Sequence, residues 1–142
     1  MKTAVVYWSG TGNTEAMAQA VAEGIQAAGG QADVYTADRF TSAQTADYDT
    51  FAFGCPAMGA EVLEEGEFDP MFTQCECGLS GKNAALFGSY GWGDGEWMRS
   101  WEERCVADGI VLVADSVICQ DAPDSEALDQ CRALGQKLAG KG

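Results

Sequence analysis

The chain has 142 residues, of which 46% are hydrophobic, which suits one domain with a substantial core and excludes a disordered chain. Eight basic residues against 22 acidic ones give a formal net charge of −14, so nucleic acid and anionic membranes are poor partners. No stretch approaches the roughly 20 apolar residues of a membrane span, and the N-terminus has no signal-peptide pattern, so we expect a soluble, cytoplasmic monomer.

Strand and helix patterns alternate along the chain without a linker or a repeat. Apolar runs predict five strands, at Thr3–Trp8, Ala32–Tyr35, Phe51–Phe53, Asn83–Tyr90 and Ile110–Ile118. Helical spacing predicts four helices. The first runs from near Glu15 to the pair Gly29-Gly30, and the second is a short helix over Pro70–Cys75 with Asp69 as its N-cap. The third is marked by Trp97, Trp101 and Cys105 and ends near Gly109, and the fourth is capped by Asp124 or Ser125 and ends before Gly140. Strands this apolar, alternating with helices, predict a doubly wound parallel sheet covered on both faces, in one domain spanning 1–142.

The chain has six cysteines. Four of them lie at the end of a strand or in a helical stretch, as buried thiols in a reducing cytosol do: Cys55, Cys105, Cys119 and Cys131. Cys75 and Cys77 are the only close pair, and their spacing is not that of a zinc or redox motif. The chain has no histidine, so we predict no metal site.

A loop rich in glycine and hydroxyl groups follows the first predicted strand. It consists of Ser9, Gly10, Thr11, Gly12, Asn13 and Thr14. Two glycines let main-chain N–H groups come close to an anion, and the N-terminus of the next helix adds a partial positive charge. Because the loop has no Lys, Arg or His, a phosphate there would be held by neutral dipoles.

Two better-known glycine loops do not match this sequence. No lysine follows Gly12, which excludes a Walker A loop, and Glu15 stands where a dinucleotide fingerprint has its third glycine. The alternative is a plain strand-to-helix turn that binds nothing.

Ligands of doubly wound sheets bind beyond the carboxyl ends of the strands, so the segments after strands one, three and four should meet in one crevice. These segments are 9–14, 55–65 and 89–95. Trp92 stands between two glycines that cannot bury it, and Met58 offers a polarizable surface opposite. The two side chains would cover a flat ligand, or, alternatively, pack on each other as a small satellite cluster.

The segment from Phe40 to Gly81 has no Lys or Arg and contains eight acidic residues. A charge run of this kind is usually solvated surface. It would also suit docking of a basic protein partner by electrostatic steering. Because part of the run borders the predicted crevice, we favour docking.

Taken together, these motifs resemble the flavodoxin family, specifically its short-chain kind from anaerobic bacteria. The loop 9–14 matches the family's phosphate loop, and 55–59 and 88–93 match its two flavin-flanking loops. The resemblance runs from Lys2 through the last helix. It implies a five-stranded sheet of order 2-1-3-4-5 that binds FMN non-covalently, and a one-electron carrier without catalytic residues of its own.

The resemblance also implies a role for each matching residue. Ser9, Gly10, Thr11, Gly12, Asn13 and Thr14 would bind the phosphate; Pro56, Ala57, Met58, Gly59, Ala60 and Glu61 would form the inner flavin loop; and Ser89, Tyr90, Gly91, Trp92 and Gly93 would form the outer one. Met58 and Trp92 would cover the two ring faces, and Glu61 would accept a hydrogen bond from the ring N3–H. Gly59 and Ala60 would be the central pair of a turn whose peptide rotates on reduction.

Repulsion from the acidic loop and desolvation by the apolar flanks would disfavour a negatively charged reduced ring. We therefore expect a low-potential carrier that works mainly between FMN semiquinone and hydroquinone. The partners implied by the resemblance are reductases, hydrogenases and keto-acid oxidoreductases, docked through basic patches.

Two other classes share this fold. An FMN-dependent quinone or nitro reductase needs room over the ring, which Trp92 would shield. A phospho-acceptor receiver domain needs clustered aspartates after strands one and three, where this chain has Ser9 and Cys55.

Overall fold

A parallel sheet forms the centre of the computed structural model, which describes residues 2–59 and 61–141. In these residues the strands are β1 (Lys2–Tyr7), β2 (Gln31–Thr36), β3 (Thr50–Gly54), β4 (Asn83–Tyr90), β5 (Val111–Leu112) and β6 (Val117–Gln120). The order across the sheet is β2-β1-β3-β4-β5, with β6 also paired to β4. The predicted order 2-1-3-4-5 is confirmed, and β1, β3 and β4 lie side by side.

The fifth sheet position is filled by two short strands, where the sequence predicted one continuous strand over Ile110–Ile118. β5 pairs with the start of β4, at Asn83 and Ala84, and β6 pairs with its end, from Phe87 to Tyr90. Between them, the Ser116 hydroxyl donates a hydrogen bond of 2.6 Å to Glu102 on the neighbouring helix. The Ser116 hydroxyl therefore has its hydrogen-bond partner outside the sheet, and the strand pairing with β4 is interrupted at this residue.

Helices cover both faces of the sheet, as predicted. They are α1 (Asn13–Ala27), α2 (Phe68–Leu79), α3 (Glu96–Ala107) and α4 (Ser125–Lys141), and two short 3₁₀ turns (Ala37–Arg39 and Ser42–Asp47) precede β3. One core, on the side of α1 and α4, is rich in aliphatic residues such as Val5, Val21 and Leu134. The other, on the side of α2 and α3, is rich in aromatic residues such as Phe53, Phe72 and Trp101.

Two helix termini follow the local signals in the sequence. α1 ends where Gly29, at φ 88°, donates its N–H to Gln26 O at 3.0 Å and Gly30 donates to Ile25 O at 2.9 Å. This pair of bonds is the Schellman arrangement that a Gly pair favours. α4 is capped by Asp124, whose carboxylate accepts the Ala127 N–H at 2.8 Å. In the described part of the chain, no helix combines the length and apolarity needed to cross a membrane.

The prediction that Asp69 caps α2 was wrong. The helix begins at Phe68, and the carboxylate of Glu64 accepts the N–H groups of Gly66, Glu67 and Phe68 at 2.7, 2.7 and 2.8 Å. Although burial acts to raise it, these three donors together lower the pKa of Glu64. Asp69 instead forms an ion pair with Arg104 on α3 at 3.1 Å.

α1 and α4 pack with their backbones almost touching, because glycines stand at the crossing. A Cβ on Gly24 would lie 1.9 Å from the main-chain oxygen of Arg132. A Cβ on Gly135 would lie 2.1 Å from the main-chain oxygen of Val21. Any side chain at either position must therefore push the helices apart.

We predict that Gly24→Ala lowers the free energy of unfolding by about 2 kcal/mol or more, since the helix pair must separate to admit one methyl group. Urea denaturation followed by circular dichroism measures the change. The matched control is Gly140→Ala in α4, where an added Cβ would have no neighbour within 4 Å. The packing account is wrong if both variants have the stability of the wild type.

Candidate functional site

The loops that follow β1, β3 and β4 meet in one cleft at the carboxyl edge of the sheet. The cleft has a volume of about 280 Å³ and is lined by Trp8, Gly10, Thr11, Asn13, Pro56, Ala57, Met58, Ser89, Tyr90, Gly91 and Asp121. Members of all three predicted loops are therefore brought together. This is the position that adjacent parallel strands give to a binding site.

Main-chain hydrogen bonds join the three loops to one another. Trp8 N–H donates to Gly54 O at 3.0 Å, and Ala57 N–H donates to Ser89 O at 3.0 Å. The indole N–H of Trp97 donates to Cys55 O at 3.1 Å from the α3 side. The cleft walls thus continue the sheet's own hydrogen-bond ladder.

The loop 9–14 has the main-chain geometry of an anion cradle. Gly12 lies in the left-handed region at φ 94°, and no side chain caps the N-terminus of α1 behind it. The Gly12 N–H donates to Ser9 Oγ at 3.0 Å. The N–H groups of the first helical turn therefore remain available for an anion, together with the helix dipole.

Thr14 lies deeper than the rest of this loop. It is buried, and its hydroxyl is 3.4 Å from the Ser89 hydroxyl, so it joins the first and third loops behind the cleft. Ser9, Gly12 and Thr14 are not lining residues of the cleft. They shape the loop from which Gly10, Thr11 and Asn13 face it.

A tight turn follows Met58. The Glu61 N–H donates to Met58 O at 2.8 Å, and the Met58 N–H donates to Val62 O at 3.0 Å. Gly59 is exposed at the tip of this turn, and Ala60, its predicted partner, lies outside the described residues. Glu61 closes the turn with a positive φ of 52°.

The carboxylate of Glu61 is partly buried beside this turn. Its Oε1 is buried and has no hydrogen-bond partner among residues 2–59 and 61–141. Gly93 packs directly against it, because a Cβ there would lie 2.3 Å from Oε1. An unsatisfied buried carboxylate oxygen is costly, so this atom fits a ligand that supplies an N–H donor.

Trp92 stands away from the cleft wall and is 60% exposed. This high exposure is not what the alternative interpretation, a satellite cluster of Trp92 and Met58, would favour. Gly93, at φ 85°, directs the chain back toward α3 after it. Four of the predicted site residues lie on the cleft loops but do not line the cleft itself: Gly59, Glu61, Trp92 and Gly93.

Two lining residues, Trp8 and Asp121, were not predicted. Trp8 was assigned to the first strand, but it lies beyond Tyr7, and its indole N–H donates to Glu67 Oε1 at 3.0 Å. Asp121 directly follows β6, whereas the predicted strand stopped at Ile118. Ligands are expected beyond the carboxyl ends of the strands. If the fifth predicted strand had been extended to Gln120, this rule would have indicated Asp121 as a site residue.

Cys55 is adjacent to the cleft loop but is not poised as a nucleophile. Burial raises the pKa of its thiol to about 12, despite the Glu64 N–H that donates to its sulfur at 3.3 Å. A thiol in this state is a small hydrophobic residue.

This sheet order, with a cation-free anion cradle and flat side chains at its carboxyl edge, defines a flavodoxin-like nucleotide-binding protein. The Flavodoxin family model matches residues 5–135, and the chain belongs to the flavodoxin family.

Individual relatives agree with this assignment over nearly the whole chain. The flavodoxin of Clostridium beijerinckii is 47% identical over 135 residues, covering 95% of this chain and 97% of the relative. That of Megasphaera elsdenii is 40% identical, covering 95% and 96%. The solution structure of two-electron reduced Megasphaera elsdenii flavodoxin has a TM-score of 0.90 over 97% of this chain and 98% of that one.

Membership of the family gives the cofactor and the broad function. Flavodoxins bind FMN and are electron-transfer proteins rather than enzymes, so this chain is a flavin-binding electron carrier. The residues present fit the cofactor, since they include an anion cradle at the N-terminus of α1 and a buried Glu61 oxygen that has no partner among the described residues.

We predict that Gly93→Ala weakens FMN binding tenfold or more, because the new methyl group would displace the Glu61 carboxylate, which we expect to accept an N–H of the ligand. Fluorescence titration of the apoprotein with FMN measures the dissociation constant. Gly29→Ala is the matched control: it has the same left-handed strain at φ 88° and open space around it. An unchanged FMN affinity in Gly93→Ala, or an equal loss in the control, would contradict the role given to Glu61.

Proposed function

We propose that FMN occupies the cleft and that the protein carries single electrons at low potential, mainly between the semiquinone and hydroquinone of the bound cofactor. One electron arrives from a donor protein, and the same electron leaves to an acceptor protein. The observation that carries this proposal is a cleft built for a phosphorylated ligand whose described lining has carboxylate but no cation.

In this proposal each loop holds one part of the cofactor. The phosphate is bound by Ser9, Gly10, Thr11, Gly12, Asn13 and Thr14, mainly through N–H groups; the isoalloxazine lies among Pro56, Ala57, Met58, Gly59, Ala60, Glu61, Ser89, Tyr90, Gly91, Trp92 and Gly93. Met58 covers the inner ring face and Trp92 the outer one. The unpaired Glu61 Oε1 accepts the N3–H of the ring, which is supported by its burial without a partner.

The electrostatics of the cleft favour a low potential for the second electron. Full reduction tends to leave the ring anionic, and neither Lys nor Arg is among the described lining residues. Met58, Ala57 and Pro56 present apolar surface, which raises the desolvation cost of that charge. Each ~1.4 kcal/mol of such destabilisation lowers a one-electron potential by roughly 59 mV. The Megasphaera elsdenii relative has been solved in its two-electron reduced form, which shows that this state is accessible in that protein.

Electron transfer to redox partner proteins is common to the family. We propose that the partners dock with a basic patch over the exposed Trp92 and Val62, which are 60% and 39% accessible. Exposed acids flank these two side chains in the sequence, at Glu65, Glu67 and Asp94. This combination of an apolar centre and an acidic rim suits transient docking of reductases, hydrogenases or keto-acid oxidoreductases.

We also propose a monomeric protein of the cytoplasm. All six cysteines are free thiols, as expected in a reducing compartment. The other large exposed hydrophobic residues in the described chain, such as Val34, Val106 and Val111, stand on different elements. Sedimentation analysis and cell fractionation test these two proposals.

A redox titration of the purified FMN-bound protein tests the proposed carrier function. We expect two separate one-electron couples, the second strongly reducing, with the semiquinone as the main species between them. The visible spectrum at each potential measures these populations. Two couples at equal potential, with no semiquinone, would refute the proposed cycle.

Charge reversal on the acidic rim tests the docking surface. We expect Glu65→Lys to slow reduction of cytochrome c, a basic haem protein, several-fold at low ionic strength, and salt to reduce this difference. Stopped-flow spectroscopy measures the rate. Asp49→Lys, just before β3 at the opposite edge of the sheet, makes the same change in net charge and is the control. Equal effects of the two variants would show that only net charge matters.

A further inference from the structure

The side chain of Trp8 stands between the cleft and a second cavity on the side of β2. The second cavity has a volume of about 230 Å³ and is lined by Tyr7, Trp8, Ser9, Glu15, Thr36, Ala37, Asp38 and Glu67. Among the described residues that line the cleft or this cavity, Trp8 alone belongs to both. The indole is therefore the wall that separates the two spaces.

The anion-binding loop 9–14 borders both spaces. Three of its residues face the cleft, whereas Ser9 and, directly after the loop, Glu15 line the second cavity. A phosphate monoester held by this loop needs room on the cleft side alone. In dinucleotide-binding sheets the second half of the ligand lies over a neighbouring strand end, where an acidic residue binds its ribose. The neighbouring strand on this side is β2, so the second cavity is where such a half would lie.

Contacts at both ends of the Trp8 side chain hold it across this passage. The main-chain N–H of Trp8 donates to Gly54 O at 3.0 Å, which fixes the backbone as a continuation of β1. The six-membered ring packs against Gly10, where a Cβ would lie 3.1 Å from Cη2. The indole N–H donates to Glu67 Oε1 at 3.0 Å. The ring thus extends from the anion-binding loop to the start of α2.

The acceptor, Glu67, is itself held at the start of α2. Its main-chain N–H donates to the Glu64 carboxylate at 2.7 Å, and its carbonyl accepts the Met71 N–H at 3.2 Å. Its side chain is exposed. The backbone of Glu67 is therefore fixed by the helix, and its carboxylate is free to bind the indole without a role in the core.

Charge also disfavours a phosphate in the second cavity. Among the described residues that line it, Glu15, Asp38 and Glu67 are acidic and none is basic. The Tyr7 hydroxyl donates to Glu15 at 3.3 Å, and the Thr36 hydroxyl donates to Asp38 at 2.5 Å. A second phosphate would meet three carboxylates, and these two hydroxyl protons are already donated to carboxylate oxygens.

We propose that Trp8 is a specificity residue that limits the site to a flavin mononucleotide, and that Glu67 is the positioning residue that holds its indole across the passage. The inference rests on the proposed function, in which FMN occupies the cleft. FMN ends at its phosphate, whereas FAD continues through a second phosphate to an adenosine. The indole excludes that extension by its volume, and the carboxylates of the second cavity oppose its phosphate.

The ratio of the dissociation constants for FAD and FMN tests the proposal, because a loss of affinity common to both flavins leaves the ratio unchanged. The apoprotein is titrated by fluorescence with FMN and with FAD that has been freed of FMN by chromatography. We expect the wild type to bind FMN roughly a hundredfold or more tighter than FAD. Trp8→Ala should lower this ratio about tenfold or more, since it joins the two spaces.

Variants of Glu67 separate the hydrogen bond from the charge. Glu67→Gln keeps an oxygen that can accept the indole N–H and removes the charge, so the ratio should fall only about twofold. Glu67→Leu removes both, so the indole is released and the ratio should fall about fivefold or more. Glu65→Gln is the matched control, since Glu65 is exposed and lines neither space, and it should keep the wild-type ratio. The Glu67 variants keep the test available if Trp8→Ala does not fold, because Glu67 is an exposed residue.

The outcomes separate this inference from the function on which it rests. A wild type that binds FAD as tightly as FMN, or a folded Trp8→Ala variant with the wild-type ratio, refutes the role of Trp8. Equal ratios in Glu67→Gln and Glu67→Leu refute the positioning role of Glu67. A wild type that binds neither flavin would instead overturn the proposed function.

Discussion

The site depends on the adjacency of β1, β3 and β4 in one parallel sheet. Parallel strands end at the same edge, so three loops distant in sequence are brought together there. The bonds from Trp8 to Gly54 and from Ala57 to Ser89 extend the sheet's pairing into the loops themselves. Glycines allow this close approach, since a Cβ on Gly88 would lie 2.2 Å from Cys55 O. The position of the cleft is therefore set by the sheet that carries it.

Charge then determines what this cleft binds. The described cleft wall lacks basic side chains, so main-chain N–H groups and a helix N-terminus are what it offers to an anionic phosphate. The same deficit of cations, with Glu61 and Asp121 nearby, disfavours extra negative charge on a bound ring. Phosphate binding and the low potential that we propose thus depend on one property of the site. The exposed acids Glu65, Glu67 and Asp94 extend that property to the surface where partners are proposed to dock.

Local patterns predicted most of the fold, and they failed where a distant partner decided the outcome. Gly29 and Gly30 end α1 as predicted, because the capping bonds are local. At α2, Asp69 had the residue type and spacing of an N-cap, but it forms an ion pair with Arg104. The N–H groups at the start of the helix are instead bound by the Glu64 carboxylate. The fifth strand was predicted in one piece because nothing in the local sequence shows that Ser116 bonds to Glu102.

The sequence by itself determined the alternation of strands and helices, the family, and most of the loops at the cleft. Apolar periodicity and glycine spacing are patterns of residues close together in the chain, so they can be recognised without the tertiary structure. Only the tertiary structure decided which side chains line the cleft. Asp121 enters it because β6 pairs with the end of β4, and the Glu61 oxygen is left without a partner because Gly93 packs against it. Both facts depend on contacts between residues far apart in the chain, which periodicity does not encode.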